Sequence, residues 1–160
     1  WGGDSSSVAS DLSSGVIKIF STESAFAALK DDNSVVTWGF SSLDNLGGDS
    51  SAVASNLTSG VTEVFSTQKA FAALKTDGSV VTWGNSDFGG DSSSVSSNIS
   101  SGVVKIFSTN SAFAALKSNG SVFTWGNTEQ GGDSSSVSLE LNGGITNIFS
   151  TERSFSAIRE

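Results

Sequence analysis

The sequence predicts an all-β fold: a β-propeller-type repeat array of about 42 residues per blade, with three antiparallel strands plus a short helix or turn. The first observation is a repeated segment, GGDSS, which begins at Gly2, Gly47, Gly89 and Gly131, in steps of 45, 42 and 42 residues. The second is that each of the first three repeats holds three short runs rich in Val, Ile, Phe and Ala. One such unit cannot bury its apolar faces alone, so neighbouring units are expected to stack.

The third repeat shows the elements in order. Asp91 follows two glycines and precedes SSSVSSNIS, so we expect it to cap a short helix with Val95 and Ile99 one turn apart. The runs VVKIFST and AFAALK predict two strands, because β-branched and aromatic residues favour strands. Asn119-Gly120 then predicts a hairpin turn into a third strand, SVFTWG. This hairpin inside the unit favours a propeller over a linear solenoid.

The first repeat supplies the strand limits. We expect strands near 17–21, 25–30 and 34–38, with Asp32-Asn33 in the hairpin turn because Asn tolerates positive φ. Its extra three residues lie in FSSLDNL, from Phe40 to Leu46, which predicts a surface loop. Five side chains, with their later counterparts, are expected to be buried between blades: Phe20, Phe26, Leu29, Val36 and Trp38.

The chain is predicted to form one repeat segment over residues 1–160. The units cover about 2–46, 47–88, 89–130 and 131–160. The fourth unit stops before any SVxTWG strand, so we expect the chain to be part of a longer array. Phe155 to Arg159 should then present an open strand edge, which invites pairing with another chain.

Composition excludes several kinds of chemistry. The chain has no Cys and no His, so thiolate catalysis, Ser–His pairs and zinc–thiolate sites are absent. The net charge of −8 disfavours nucleic acid as a partner, since binding DNA or RNA needs basic patches. No apolar run approaches the roughly 20 residues of a membrane span, so we expect no membrane insertion. We expect no catalytic residue, cofactor or metal.

Three kinds of recurring residue have a functional and a structural interpretation. The aspartates after Gly-Gly are either calcium ligands or N-caps, and the N-cap is favoured because each repeat offers one carboxylate. The tryptophans are either a ligand-stacking ring or packing residues, and packing is favoured. The lysines that end AFAALK are interpreted as solvated strand ends. The residues are Asp4, Asp49, Asp91 and Asp133; Trp38, Trp83 and Trp125; Lys30, Lys75 and Lys117.

The stretch SGVVKIFSTNSAFAALKSNGSVFTWGNTEQGG resembles the regulator-of-chromosome-condensation repeat family. An apolar strand, an A-L strand, an N-G turn and a strand ending in W-G follow each other in that family's order, over essentially all 160 residues. The short repeat is similar to the compact branch that includes beta-lactamase inhibitor protein II, and to arrays in long secreted bacterial proteins. The resemblance implies a β-propeller. The GGDSSS segment replaces the family's usual glycine–leucine stretch.

The candidate binding residues are those that differ between repeats inside an almost constant frame. They follow FST in each repeat, and the apolar residues of the FSSLDNL loop are a second candidate. The residues are Glu23, Ser24, Gln68, Lys69, Asn110, Ser111, Glu152 and Arg153, together with Phe40, Leu43 and Leu46.

These observations predict a non-catalytic structural or adhesive segment of a larger secreted or cell-surface bacterial protein. Its partner would be a protein, a polysaccharide or neighbouring copies of itself. The alternative is an inhibitor-like, protein-binding propeller, which would need an apolar patch on one loop face. A hydrolase would instead need two carboxylates converging in a pocket. Exchange-factor activity on a small GTPase is suggested by the family name alone.

Overall fold

The computed structural model describes residues 2–40 and 46–160 of the chain. It contains four antiparallel sheets, one for each repeat, and the middle strand of each three-stranded sheet is the AFAALK segment. The first sheet holds β1 (Val16–Ser21), β2 (Ala25–Lys30) and β3 (Val35–Gly39). The second holds β4 (Val61–Ser66), β5 (Ala70–Lys75) and β6 (Val80–Gly84). The third holds β7 (Val103–Ser108), β8 (Ala112–Lys117) and β9 (Val122–Gly126), and the fourth β10 (Ile145–Ser150) and β11 (Phe155–Arg159).

The predicted all-β, propeller-type architecture is confirmed. The described residues form three complete blades and a two-stranded fourth unit, so the chain has about 53 residues for each complete blade when the fourth unit is included in the length. Equivalent strands still begin 42 residues apart, at Val61, Val103 and Ile145.

The predicted short helices are 3-10 turns. Serine is a poor helix former, and a run this short favours the tighter i to i+3 bonding pattern. The turns after Gly-Gly are Ser6–Val8, Ser51–Leu57, Ser93–Val95 and Ser135–Val137, and two further turns are Ser86–Phe88 and Thr128–Gln130. Among the described residues no helix is long and apolar enough to cross a membrane.

The recurring aspartates stabilise the entry to these turns. The Asp91 carboxylate accepts a hydrogen bond of 2.8 Å from the backbone N–H of Ser93, two residues on. The other three carboxylates accept the same bond, in Asp4 with Ser6, Asp49 with Ser51 and Asp133 with Ser135. The N-cap residue of each turn is the serine that follows the aspartate, so the predicted N-cap position is wrong by one residue, although the carboxylate still accepts a backbone N–H of the turn.

The apolar core lies between consecutive blades. The Phe71 and Phe113 rings are fully buried and stack on Trp83 and Trp125, with ring centroids 5.2 and 5.4 Å apart. Each of these indole N–H groups donates to a glycine carbonyl oxygen of the preceding loop. The Trp83 N–H donates to the Gly47 carbonyl oxygen at 3.2 Å. Packing therefore explains the tryptophans.

Burial is less complete in the first blade than predicted. Phe20, Phe26, Val36 and Trp38 are only half-buried, whereas Leu29 is 4% exposed. The face that carries Phe26 and Trp38 has no neighbouring blade among the described residues, which explains the difference. Phe20 differs for another reason, since its counterparts in the complete blades, Phe65 and Phe107, are half-buried as well.

The lysines that end the middle strands are not simply solvated, so this prediction is wrong. The Nζ atom of Lys75 donates to the Asn56 carbonyl oxygen at 2.8 Å, and Lys75 is half-buried. Lys30 bonds in the same way to Asp11, and Lys117 to Asn98. Each lysine satisfies a carbonyl near the end of the preceding serine-rich turn.

Candidate binding face formed by the turns between paired strands

Four turns, one from each repeat, meet at one side of the array. Each turn joins the first two strands of its blade and begins with the threonine of FST. Together they line an open depression of about 540 Å³. We call this surface the turn face. Its residues are Ser21, Thr22 and Glu23; Ser66, Thr67 and Gln68; Ser108, Thr109 and Asn110; Thr151 and Glu152.

A ladder of backbone hydrogen bonds connects the four turns. The N–H of Glu23 donates to the carbonyl oxygen of Gln68, the N–H of Gln68 to Asn110, and the N–H of Asn110 to Glu152. Each of the three distances is 2.9 Å. Donor and acceptor belong to the same position of the repeat, so the spacing of the turns does not depend on their side chains.

The threonines of the first three turns hold them against the loop that follows each blade. The Thr67 hydroxyl accepts a bond from the Ala70 N–H at 3.1 Å and donates to the Phe88 carbonyl oxygen at 2.9 Å. Thr109 repeats this pattern with Ala112 and Gln130. The turns are therefore fixed within their own blades as well as to each other.

The eight predicted turn residues separate into two groups. The first member of each pair lines the depression, and the second lies outside it. Lys69 instead lies over the Phe88 ring, with its Nζ atom 4.7 Å from the ring centroid. Ser111 is 2% exposed, so little of its side chain is accessible to a partner. The residues that line the depression are Glu23, Gln68, Asn110 and Glu152.

Two of the three apolar loop candidates lie near the base of the first turn. The Phe40 N–H donates to the Ser24 carbonyl oxygen at 2.9 Å, and the Leu46 carbonyl oxygen accepts from the Thr22 hydroxyl at 3.2 Å. Both residues are half-buried. Leu43 lies outside the described residues. Binding by this loop stays a prediction.

The two charged residues that line the turn face are both acidic. Glu23 and Glu152 occupy the two ends of the ladder, with the uncharged Gln68 and Asn110 between them. In residues 2–40 and 46–160, no three acidic side chains come together as metal ligands. Elsewhere, hydrogen bonds from the backbone N–H and hydroxyl of Ser51 lower the pKa of Asp49, because they stabilise the charged carboxylate.

The turn face was predictable only in part. Variation after FST identified the four residues that line it, because a constant frame around variable residues indicates a surface position. The ladder was missed, since a backbone hydrogen bond between repeats requires no particular side chain. The threonine anchor had a signal in the sequence, the invariant Thr of FST.

No protein-family model matches this sequence, and no curated protein matches it. Solved structures do resemble its fold. Prp20p from Saccharomyces cerevisiae aligns with a TM-score of 0.58 at 18% identity over 91% of this chain and 42% of that one. Yeast RCC1 (Prp20) bound to Kap60 aligns with a TM-score of 0.60 at 19% identity, over 91% of this chain and 41% of that one. Human WBSCR16 aligns with a TM-score of 0.52 at 18% identity, over 94% of this chain and 41% of that one. This chain therefore spans about two fifths of the chains it matches.

Proposed function

We propose that this chain, which has the RCC1-type β-propeller repeat fold, is a non-catalytic binding segment that contacts its partner through the turn face. The resemblance to regulator-of-chromosome-condensation repeats is confirmed for the fold. We further propose a structural or adhesive role in a larger secreted or cell-surface bacterial protein. Similarity to the compact branch of the family stays an expectation.

The ladder of the turn face is the observation that carries this proposal. It holds four side chains at regular spacing on one surface while leaving their identity free. A rigid scaffold that presents variable loop residues is a common arrangement in binding proteins. The turn face fits this arrangement better than the lysines or tryptophans, which are used in packing.

A protein is the partner class that the similar structures favour. Prp20p is described with binding properties to Gsp1p and histones, and yeast RCC1 is bound to Kap60. A polysaccharide or neighbouring copies of the chain are the other candidates. The four lining residues are polar or charged and none is aromatic, so we expect a weak, salt-dependent contact rather than a tight inhibitor-like one.

The turn face also disfavours hydrolysis. General acid and base catalysis requires two carboxyl groups on either side of one reacting bond. Glu23 and Glu152 lie at opposite ends of the ladder, with the turns of Gln68 and Asn110 between them. We therefore propose that the chain is not an enzyme.

Replacement of the six turn residues that are not serine tests the proposal. The variant carries Ser at positions 23, 68, 69, 110, 152 and 153, which removes two negative and two positive charges. Binding is measured by surface plasmon resonance to immobilised histones, to alginate, to dextran and to immobilised copies of the chain. We expect at least one of these surfaces to bind the unmodified chain. The same surface should bind about tenfold less of the variant at equal concentration, and high salt should reduce the binding of both.

The matched control is Lys18→Ser with Glu63→Ser. This exposed pair lies on β1 and β4, 3.7 Å apart, and its removal also leaves the net charge unchanged. The control should bind as the unmodified chain does. Equal binding by the six-residue variant, with an unchanged circular dichroism spectrum, would remove the turn face as the contact surface.

A further inference from the structure

Two Asn-Gly pairs occur in the chain, Asn119-Gly120 in the third hairpin turn and Asn142-Gly143 just before β10. Both asparagine residues are exposed. In such a pair the backbone nitrogen of the glycine lies next to the side-chain amide of the asparagine and can attack it as an intramolecular nucleophile. Glycine has no Cβ atom to crowd that nitrogen. By sequence alone, the two pairs are therefore equally able to react.

In the first pair both reacting groups are held by hydrogen bonds. The Gly120 N–H donates to the Lys117 carbonyl oxygen at 2.9 Å, and the Oδ1 atom of Asn119 accepts from the Ser121 N–H at 3.0 Å. Attack by the Gly120 nitrogen requires loss of its proton and movement of the amide toward it, so these bonds oppose the reaction. The hairpin has to open locally before this pair can react.

In the second pair both reacting groups are free. Within residues 2–40 and 46–160, the Gly143 N–H has no acceptor and the Asn142 side chain makes no hydrogen bond. Apart from its chain neighbours, a Cβ atom placed on Gly143 would meet only the Asn119 carbonyl oxygen, at 3.6 Å. The Asn142 amide can therefore turn toward the Gly143 nitrogen without breaking a hydrogen bond first.

The fourth repeat alone has an asparagine at this position. The third repeat has Ser100, whose hydroxyl donates to the Ser97 carbonyl oxygen at 2.9 Å, and the first two repeats make the same bond from a Ser or a Thr. The backbone N–H that follows is free in every repeat, within the part of the chain that the structure describes. This free N–H is therefore a property of the repeat. The equivalents of Gly143 are Ser14, Ser59 and Ser101.

Asn142 lies at the junction between the third blade and the fourth unit. Its carbonyl oxygen accepts a hydrogen bond of 3.2 Å from the Ser121 hydroxyl. The Val122 N–H donates to the carbonyl oxygen of the residue before Asn142 at 2.9 Å, and the Ile145 N–H donates to the Gly120 carbonyl oxygen at 3.1 Å. A change in backbone length at Asn142 therefore displaces all of these contacts.

We propose that Asn142-Gly143 is a spontaneous modification site of this protein. The Gly143 nitrogen loses its proton and bonds to the Cγ atom of Asn142, the Cγ–Nδ2 bond breaks, and the amide nitrogen leaves as ammonia with that proton. Water then adds to either carbonyl group of the cyclic imide, and the ring opens to aspartate or isoaspartate. Both products add a negative charge.

Isoaspartate changes the junction because the main chain then runs through the Cγ atom and is longer by one carbon atom. The longer backbone separates the acceptor before Asn142 from Val122 and moves Ile145 away from Gly120. The third blade and the fourth unit therefore open more readily after the modification. This inference does not depend on the proposed function of the turn face.

Comparison of the two sites in the folded chain and in urea tests the proposal. The chain is incubated at mildly alkaline pH, and cleavage after Glu129 and Glu140 then places the two asparagines in different peptides for mass spectrometry. In the folded chain Asn142 should be converted about tenfold faster than Asn119, because only the hairpin has to open. In urea the two rates should agree within about twofold, because the hydrogen bonds that distinguish the sites are lost.

Hydrogen exchange measures the effect on the junction. In chains that contain isoaspartate, identified by enzymatic methylation, the Val122 and Ile145 amides should exchange about tenfold faster than in the fresh chain. Asn142→Ser is the matched control, since it introduces the residue of the third repeat and has no side-chain amide to cyclise. Its exchange should be the same before and after incubation. Freshly prepared Asn142→Asp adds the charge without the longer backbone and should exchange as the fresh unmodified chain does.

Three results would overturn the proposal. The first is conversion of Asn119 as fast as that of Asn142 in the folded chain. The second is a difference between the sites that persists unchanged in urea, because the hydrogen bonds would then not be its cause. The third is faster exchange at the junction in incubated Asn142→Ser or in fresh Asn142→Asp, because the longer backbone would then not be needed to open it.

Discussion

At the scale of single residues, the polar side chains that recur in every repeat bond to the backbone. Thr109 satisfies the Ala112 N–H, and Lys75 the Asn56 carbonyl oxygen. Such bonds complete loops that have little regular structure of their own. The residues that differ between repeats, such as Gln68 and Asn110, are those whose side chains line a surface.

The hairpin aspartates should make the chain sensitive to acid. The hydroxyl of Ser34, at 2.6 Å, and its backbone N–H lower the pKa of Asp32, and Ser79 does the same for Asp77. A carboxyl whose pKa is lowered by folding stabilises the protein above its unfolded pKa, and this contribution is lost as the pH falls through the folded pKa. Urea unfolding should therefore require less denaturant below about pH 4.

Asp32→Asn with Asp77→Asn should reduce this acid sensitivity. Asn119 occupies the equivalent place in the third repeat and accepts the Ser121 N–H at 3.0 Å, so the amide keeps that backbone bond at any pH. The urea midpoint of the variant should fall less than that of the unmodified chain between pH 6 and pH 3.

A double variant with the same change in net charge isolates the effect of charge alone. Asp11→Asn with Asp87→Asn provides it, since no hydrogen bond to either carboxylate is present in the described ranges. The same response to pH in both double variants would contradict the prediction.

At the scale of the structural element, the strands were predicted more accurately than the segments between them. Strands near 17–21, 25–30 and 34–38 are observed at 16–21, 25–30 and 35–39, because β-branched and aromatic runs between turn residues are a strong local signal. The serine-rich segment carries only a Val–Ile pair one turn apart, which does not distinguish an α-helix from a 3-10 turn. The lysine bonds join residues 19 positions apart, and no local pattern indicates them.

Two glycines with positive φ should respond differently to substitution. Gly89, at φ +91°, lies against Phe113, whereas a Cβ on Gly102, at φ +73°, would lie 3.4 Å from the end of the flexible Lys117 side chain. Gly102→Ala should cost about 1 kcal/mol of unfolding free energy from backbone strain. Gly89→Ala should cost about 2 kcal/mol more, because a buried ring must move.

Chemical denaturation of the two glycine variants measures this difference. Gly102→Ala is the control for left-handed backbone strain without a clash in the core. Similar losses in the two variants would show that the contact between Gly89 and Phe113 does not restrict this loop.

At the scale of the whole molecule, stability should be greatest in the middle of the array. In repeat arrays each unit is stabilised chiefly by its neighbours. Phe71 and Phe113 are fully buried, whereas Phe26 and Phe155 are half-buried. Native-state hydrogen exchange should therefore be slowest in β5 and β8, and faster in β1 and β11. Uniform protection across all four sheets would indicate that the array unfolds as a single cooperative unit.

The convergence of the turns is a property of the whole molecule that the sequence indicates only indirectly. Repetition implies that equivalent residues lie on equivalent sides of the array, and the depression between Glu23 and Glu152 agrees with this. Repetition does not say which member of each pair points into the depression. Burial of Ser111 and the contact of Lys69 with Phe88 depend on packing around each turn.

The ladder has a consequence for how such a gene can change in length. Each turn donates and accepts through backbone atoms at one position of the repeat, so any turn can follow any other whatever its side chain. Duplication or deletion of a whole repeat by recombination therefore leaves these bonds intact at the new junction. A proline at such a position would interrupt the series because it lacks the N–H, and the chain contains none. Arrays of different lengths can thus arise from one ancestral unit without redesign of the contacts between repeats.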